Sequence, residues 1–404
     1  MTYEEYINEL FVRFPSVQKY GFTRSSFKGG LDGMLYLDGI LSHPWKSYPC
    51  VHVAGTNGKG SVCSMIAASL SNEGLQVGLY TSPHILDFRE RIKIVRDGGY
   101  EMISKDEVVE FLDRYLPQSG SLSFFEITTG MALWWFRKRG VDAAVIEVGL
   151  GGRLDSTNVI VPQVSVVTSI GLDHCALLGN TRAEIASEKA GIFKSGVPAV
   201  VGFRDSETAG VFEEAAARAG SPLHFVDGNF GWVQENNAAT AGCALRLMGH
   251  IPDKGAIGAM AQITGLHCRW EKILSSPEVI ADIGHNMAAL KRNFDRLEAS
   301  GRPLFIVYGI MADKDLDSII PVLPAGARYF FCAPSIPRAL EVEQLYGRVN
   351  SARPQLDAVQ CTSVASALEQ ALGAARETGP ESLVYVGGST FVVSEALQFL
   401  KINC

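Results

Sequence analysis

The sequence predicts an α/β protein in two parts. The N-terminal part is a mostly parallel sheet flanked by helices, with a phosphate-binding type of loop (P-loop) after its first strand, and the C-terminal part is a smaller α/β domain. Three observations predict this. Short apolar runs recur along the chain, each followed by a helix-like segment. These runs are apolar throughout rather than alternating, which marks strands buried on both faces of a parallel sheet. The alternation lapses near residue 250 and then resumes.

Taken in order, "PCVHVAG" precedes a helix expected over 59–71, and "QVGLYTS" follows it. "DAAVIEVG" comes after a helix candidate over 125–139. "VSVVTSIG" precedes "TRAEIASEKAGIF", and "PAVVG" precedes "SETAGVFEEAAARAG". Strand–helix alternation of this kind builds parallel βαβ units. Ligands in such sheets sit at the carboxyl ends of the strands, so the polar motifs that follow the strands should share one edge. "MGHIPDKGAIGAMAQITGLH" is Gly-rich and weakly periodic. It reads as a linker with enough glycine to serve as a hinge. Beyond it, "EVIADIG", "PLFIVYGI", "RYFFCAP" and "SLVYVGG" restore the alternation in a Rossmann-like pattern. The expected domains are therefore 1–265 and 266–404.

The chain has 404 residues, 47% of them hydrophobic, enough for a large core and more than one domain. Charged residues make up 20% and the net charge is −7. A mildly acidic chain without a basic block is a poor candidate for binding nucleic acid or an anionic membrane. The eight cysteines include no CxxC pair, which fits free thiols in a reducing cytoplasm better than a disulfide framework or a zinc site. The start, "MTYEEYINELF", lacks a basic-then-apolar signal pattern. No apolar run approaches the roughly 20 residues of a membrane span. A soluble cytoplasmic protein is expected.

Four motifs in the first part carry chemistry. Gly55, Thr56, Asn57, Gly58, Lys59, Gly60 and Ser61 join the first strand to its helix. The loop is two residues shorter than the common P-loop, and a Gly separates Lys59 from Ser61. Its physics is kept all the same, because glycines admit phosphate to the backbone, Lys supplies charge and a hydroxyl can reach Mg²⁺. Alone, such a loop also reads as a plain strand-to-helix turn with a solvated lysine. "TSPHILDFRERI" places Ser82 and His84 around Pro83, and alone it reads as a capped turn. "VIEVGLGGRLDSTNVI" puts Glu147 at the end of a buried strand, where a carboxylate must be paired or bind metal. The plainer reading is a salt bridge to Arg153. "TSIGLDHCALLG" sets Asp173 and His174 after another strand, expected to neighbour that of Glu147, and Lys189 lies on the helix beyond. In the second part, Asp282, His285 and Asn286 open a helix, where capping is an ordinary role for Asp and Asn.

Together, "VAGTNGKGS", "YTSPHILDFRERI", "FFEITTGMALWWF", "IEVGLGGRLDSTN", "TSIGLDH", "SEKAGIF" and "ADIGHNMAAL" resemble the folylpolyglutamate synthase and dihydrofolate synthase family within the Mur ligase superfamily. The resemblance runs from about Gly30 to "YVGGSTFVVSEAL". It implies an ATP-dependent amide ligase that joins L-glutamate to dihydropteroate, to reduced folates or to both, through an acyl phosphate. It further implies that Lys59 meets the β- and γ-phosphates while Ser61 and Glu147 hold Mg²⁺. Ser82, Glu147 and His174 match a second metal site, and Lys189 a lysine that is carbamylated in the superfamily. These make Lys59, Glu147, His174 and Lys189 the candidate catalytic group. Asn237, Arg269 and Asp282 match residues around ATP, and His285 a motif position at the domain interface, counted with the nucleotide set. Phe124, Phe125 and Glu126, with Asp155, Ser156, Thr157 and Asn158, match segments on the acceptor side. A monomer is expected.

The family pattern usually has Gly before the arginine matched to Arg269, whereas this chain has His267-Cys268. Cys resists positive φ, so the local turn is expected to differ. A cell-wall ligase acting on a UDP-sugar peptide is the competing reading within the superfamily. A P-loop regulatory module without ligase activity is the competing reading outside it.

Overall fold

The computed structural model describes residues 1–14, 30–228 and 230–403. They form two compact units, Met1–Leu266 and His267–Cys404. The first holds an eight-stranded sheet: β1 (Cys50–Ala54), β2 (Val77–Tyr80), β3 (Ile92–Arg96), β4 (Gly99–Met102), β5 (Ala143–Glu147), β6 (Val164–Val167), β7 (Ala199–Val201) and β8 (Leu223–Phe225). Their order is β4-β3-β2-β5-β1-β6-β7-β8. From β2 to β8 every pairing is parallel, while β3 runs antiparallel to β2 and β4. The central strands β2, β5, β1 and β6 are buried at every residue, as their unbroken apolar runs require.

The carboxyl ends of β2, β5, β1 and β6 lie side by side, so the four polar motifs do leave from one edge. The strands of Glu147 and His174 are not neighbours, however, because β1 lies between them. Helix Lys59–Asn72 starts directly from the loop after β1, and twelve of its residues are buried. Helix Phe124–Arg139 begins in a capping box of Ser123 and Glu126 and ends at Gly140 with φ 61°.

The stretch read as a linker belongs to the first unit's core. It forms helices Lys254–Gly258 and Met260–Thr264, which bury Ala256, Ile257, Met260 and Thr264. The apolar ones join the cluster of Val62, Ile66 and Leu70. Five residues are too few to register a helical period, and this is why the sequence looked irregular. Lys93 Nζ donates to the carbonyls of Thr264 and Gly265, both at 2.9 Å, and so pins the end of this unit.

The second unit holds β9 (Glu271–Ser275), β10 (Glu278–Ala281), β11 (Leu304–Tyr308), β12 (Ala327–Phe331), β13 (Asp357–Gln360) and β14 (Leu383–Gly387). Their order is β13-β12-β11-β14-β10-β9, parallel except for the β9–β10 pair. Among the described residues, no helix is long and apolar enough to cross a membrane.

Candidate active site

The loop after β1 is held from both sides. Thr56 N–H donates to the Ser169 carbonyl at 2.7 Å, and Asn57 N–H to Ser169 Oγ at 3.1 Å. The hydroxyls of Thr168 and Ser169 both donate to the Asn57 carbonyl, at 2.7 and 2.9 Å. Gly58 has φ 90°, and a Cβ there would lie 2.5 Å from Asn237 Oδ1. Only glycine fits this position. Asn237 is thus packed against the loop from helix Val233–Leu247, where Gln234 orients its amide at 3.0 Å. Gly60 and Ser61 are buried in the first turn of helix Lys59–Asn72.

Two lysines converge on one backbone oxygen of this loop. Lys59 Nζ donates to the Gly55 carbonyl at 3.1 Å and to that of Thr56 at 3.4 Å. Lys189 Nζ reaches the same Gly55 carbonyl at 2.9 Å from helix Arg182–Ala190. Lys189 is buried, and burial, together with the charge of Lys59, lowers its pKa to about 7. Its amine is therefore substantially uncharged near neutral pH.

Glu147 ends β5 as a buried carboxylate, and its Oε2 accepts the Ser82 N–H at 2.9 Å. Arg153 pairs instead with Glu188 at 2.8 Å, so the simple Glu147–Arg153 salt bridge is not what the chain builds. Ser82 and Glu147 are therefore brought together. His174 has φ 54°, and its N–H donates to Asp173 Oδ1 at 2.9 Å.

Of the residues matched to the acceptor side, Phe124 stacks on Phe11 at 5.0 Å, with the Arg91 guanidinium 5.3 Å from its ring centre. Phe125 packs over Gly149, where a Cβ would meet its Cζ at 2.5 Å. Glu126 spends one oxygen on the Ser123 N–H, at 2.6 Å, in the helix cap. Asp155, Thr157 and Asn158 are buried and bonded within their own loop, while Ser156 is half-buried. Asp155 Oδ2 accepts from Leu150 N–H at 2.8 Å, and its Oδ1 from Thr157 N–H at 3.0 Å. Burial raises the Asp155 pKa.

In the second unit, Asp282 accepts from Trp270 N–H at 2.8 Å, Gly284 N–H at 2.8 Å and Asn293 Nδ2 at 2.7 Å. It organises the turn that carries Arg269. Cys268 in that turn has φ 59° and Trp270 φ 57°. The expectation of a different turn fails at this point, because the cysteine itself takes the left-handed conformation. Its N–H is fixed to Glu271 Oε2 at 2.6 Å and its carbonyl accepts from Ile283 N–H at 3.1 Å, which holds the strained residue in place. Arg269 is half-buried, its guanidinium 3.5 Å from the Cys268 carbonyl. His285 Nδ1 lies 3.1 Å from the Ile283 carbonyl, and Asn286 caps helix Met287–Ala299.

Sequence reasoning missed Thr168 and Ser169. Their signal was two hydroxyl residues at the end of an apolar strand, the place where a neighbouring loop must be tied down. It also missed His52, a lone histidine inside an apolar run.

Known proteins resemble this chain over most or all of its length. The Mur ligase middle domain matches residues 53–248, and the Mur ligase glutamate ligase domain matches residues 268–390. The dihydrofolate synthase/folylpolyglutamate synthase of Escherichia coli is 34% identical and covers 86% of each chain. E. coli FolC in complex with DHPP and ADP superposes with a TM-score of 0.83 at 29% identity, over 100% of this chain and 98% of that one. A bifunctional folylpolyglutamate synthase/dihydrofolate synthase with Mn, AMPPNP and L-glutamate bound gives a TM-score of 0.84 at 30% identity, over 99% and 98%. With both Mur ligase domains matched in chain order and a relative 34% identical over 86% of each chain, this chain belongs to the folylpolyglutamate synthase/dihydrofolate synthase family of Mur-type ligases.

Proposed function

We propose that the chain is an ATP-dependent carboxylate–amine ligase that adds L-glutamate both to dihydropteroate and to the glutamate tail of reduced folates. The observation that carries this is the convergence of Lys59 and Lys189 on the Gly55 carbonyl, in a glycine loop at the edge where Glu147 also ends its strand. Two amines and a buried carboxylate around a phosphate-sized turn suit transfer of a phosphoryl group to an acid. The two superposed relatives hold a nucleotide with DHPP, and a nucleotide with metal and L-glutamate; these support the same reactants here.

In this reading the acceptor carboxylate attacks the γ-phosphorus of ATP, giving an acyl phosphate and ADP. The glutamate amine then attacks the acyl carbon, loses a proton and expels phosphate to leave the amide. A carboxylate is a poor electrophile, so phosphorylation supplies its leaving group. The chain's share is positioning and charge neutralisation. Lys59 meets the terminal phosphates by exchanging its loop carbonyls for phosphate oxygens. The oxygen donors of Ser61 and Glu147 would suit one Mg²⁺, and Ser82, Glu147 and His174 would hold a second ion, His174 adding an imidazole to the oxygens. When bound, Mg²⁺ supplies positive charge against the phosphates. Asn237 flanks the loop, and Arg269, Asp282 and His285 are the second unit's nucleotide-side residues, with Asp282 acting through the Arg269 turn. Half-buried Phe125 offers an aromatic face to a flat acceptor, while Phe124, covered by Phe11 and Arg91, shapes that side together with Glu126 and Asp155 to Asn158.

Lys189 we assign as a carbamate. An uncharged amine adds to CO₂ and releases a proton, and a buried lysine with a pKa of about 7 meets that requirement. The product is an anion that attracts the Lys59 ammonium and would offer oxygens to a metal. We expect a cytoplasmic monomer, checked by light scattering. The deciding experiment follows ADP formation with glutamate and ATP, using dihydropteroate and tetrahydrofolate in parallel. ADP formation without either acceptor would instead indicate a nucleotide switch, and dependence on a UDP-sugar peptide a cell-wall ligase.

A further inference from the structure

Segment 149–158 leaves β5 just past Glu147 and has no regular structure until the short helical turn Ser156–Val159. Its contacts lead in two directions. Outward, it closes the carboxyl end of helix Arg182–Ala190. Arg153 N–H donates to the Glu188 carbonyl at 2.8 Å, and Asn158 Nδ2 to the Gly191 carbonyl at 3.1 Å. A Cβ on Gly152 would lie 2.8 Å from the Glu188 carbonyl oxygen and 2.9 Å from that of Lys189, so only glycine lets the segment approach. The last carbonyls of a helix lack partners within it, and this segment covers them at the turn bearing Lys189.

Inward, the segment hangs from a buried chain of hydrogen bonds. Asp155 gathers Leu150 N–H with one oxygen and both Thr157 N–H and Thr157 Oγ1–H with the other, the last at 2.5 Å. The Thr157 hydroxyl, having donated to Asp155, accepts from His52 Nε2–H at 2.8 Å. His52 sits in the middle of β1, paired laterally with Ile146 and Ser165, three residues before Gly55. It is fully buried, its Nδ1 has no hydrogen-bond partner among the described residues, and burial drives its pKa down to about 3. The ring is thus fixed as the neutral Nε2–H tautomer that the chain needs. Burying a nitrogen without a partner is costly, and the bond from Nε2 to Thr157 is what the histidine gains over an apolar residue here.

We propose that segment 149–158 is a clamp that positions Lys189 at the Gly55 carbonyl, and that His52 is the positioning residue that keeps the clamp in register through Thr157 and Asp155. This rests on the reading of Lys189 as an active-site group. One strand then sets both sides of the site: β1 presents the phosphate loop at its end and the clamp's anchor two residues earlier than its last residue, Ala54.

The test compares paired variants of the full chain. Thr157→Val removes one hydroxyl at constant shape, and His52→Leu removes the ring donor. Each should lower kcat about tenfold or more, because small displacements of a reacting group are costly. Each should also raise acetic anhydride labelling of the Lys189 amine relative to the other lysines, read by mass spectrometry in bicarbonate-free buffer. Thr157→Ser and His52→Gln keep a donor in place and should restore both readouts. The double variant should be no worse than the poorer single one, as expected for one chain of contacts. Should His52→Leu fail to fold, the Thr157 pair decides alone. Wild-type labelling and kcat in Thr157→Val, or lost kcat with unchanged labelling, overturns the clamp. Raised labelling in a protein whose activity ignores added bicarbonate keeps the clamp and overturns only the carbamate.

Discussion

Lys59 folds back on its own loop and occupies the Gly55 and Thr56 carbonyls. Its ammonium is thereby held beside the site without contributing to the core. Lys59→Ala should lower kcat about 100-fold or more, the scale of losing a preorganised charge on a transferring group, with an unchanged circular dichroism spectrum. Glu147→Gln should raise the Mg²⁺ concentration needed for half-maximal activity, measured by titrating Mg²⁺ at saturating ATP. Lys189 makes a prediction with a sign. Its folded pKa of about 7 lies below the ordinary 10.5. The unfolded chain therefore takes up a proton across that window while the folded chain does not. The penalty is complete below about 7 and fades toward 10.5. In bicarbonate-free buffer, Lys189→Met should be more stable than wild type near pH 6, and urea midpoints should show that gap narrowing as pH rises. Lys59 and Glu147 were legible as residues because charge in or beside an apolar strand needs a reason, whereas Lys189, on a helix, was singled out by the family resemblance. The way they meet was not legible, since a shared carbonyl such as that of Gly55 leaves no mark in a sequence.

At the scale of the element, Gly58 couples the phosphate loop to helix Val233–Leu247 through Asn237. Gly58→Ala brings both a left-handed backbone and a collision. It should cost more than about 1 kcal/mol of stability and weaken ATP binding, read by calorimetry beside a thermal melt. Asn237→Ala in the same background should recover part of the lost stability by making room. The strands that sequence patterning found, among them β1, β2, β5, β6 and β14, are interior ones, apolar on both faces. Those it missed, β3, β4, β8, β9 and β13, all lie toward the sheet margins. Edge strands alternate or carry charge, as Lys93 and Glu101 do, and three-residue β8 offers no pattern to read. The helix of Lys59 was legible from its apolar run, whereas the cap that segment 149–158 gives Lys189's helix depends on contacts distant in sequence.

For the molecule as a whole, the boundary expected after residue 265 and the division after Leu266 differ by one residue. The stretch before it was misread, because glycine content suggested slack where Ala256, Ile257 and Met260 are packed. The difference bears on where the chain accepts extra sequence. Ile251 is 84% exposed and follows Gly249 with φ 85°, so the backbone there bears little of the core. Four inserted Gly/Ser residues after Ile251 should leave the unfolding midpoint nearly unchanged, whereas the same insertion after Ala259 should lower it sharply, both measured by denaturant titration. Lys93 extends this contrast to the unit's last residues. By gripping Thr264 and Gly265 it acts as a clasp sewn from the sheet's margin onto the seam where the chain leaves for its second half. A lineage that lengthened the chain between Ala256 and the clasp would unpick a core, while one that added residues beyond it would merely let out the thread. Relatives that differ in length near this boundary should therefore place their extra residues outside the packed 256–265 stretch, and Lys93→Met should make the 259–265 stretch newly open to hydrogen exchange.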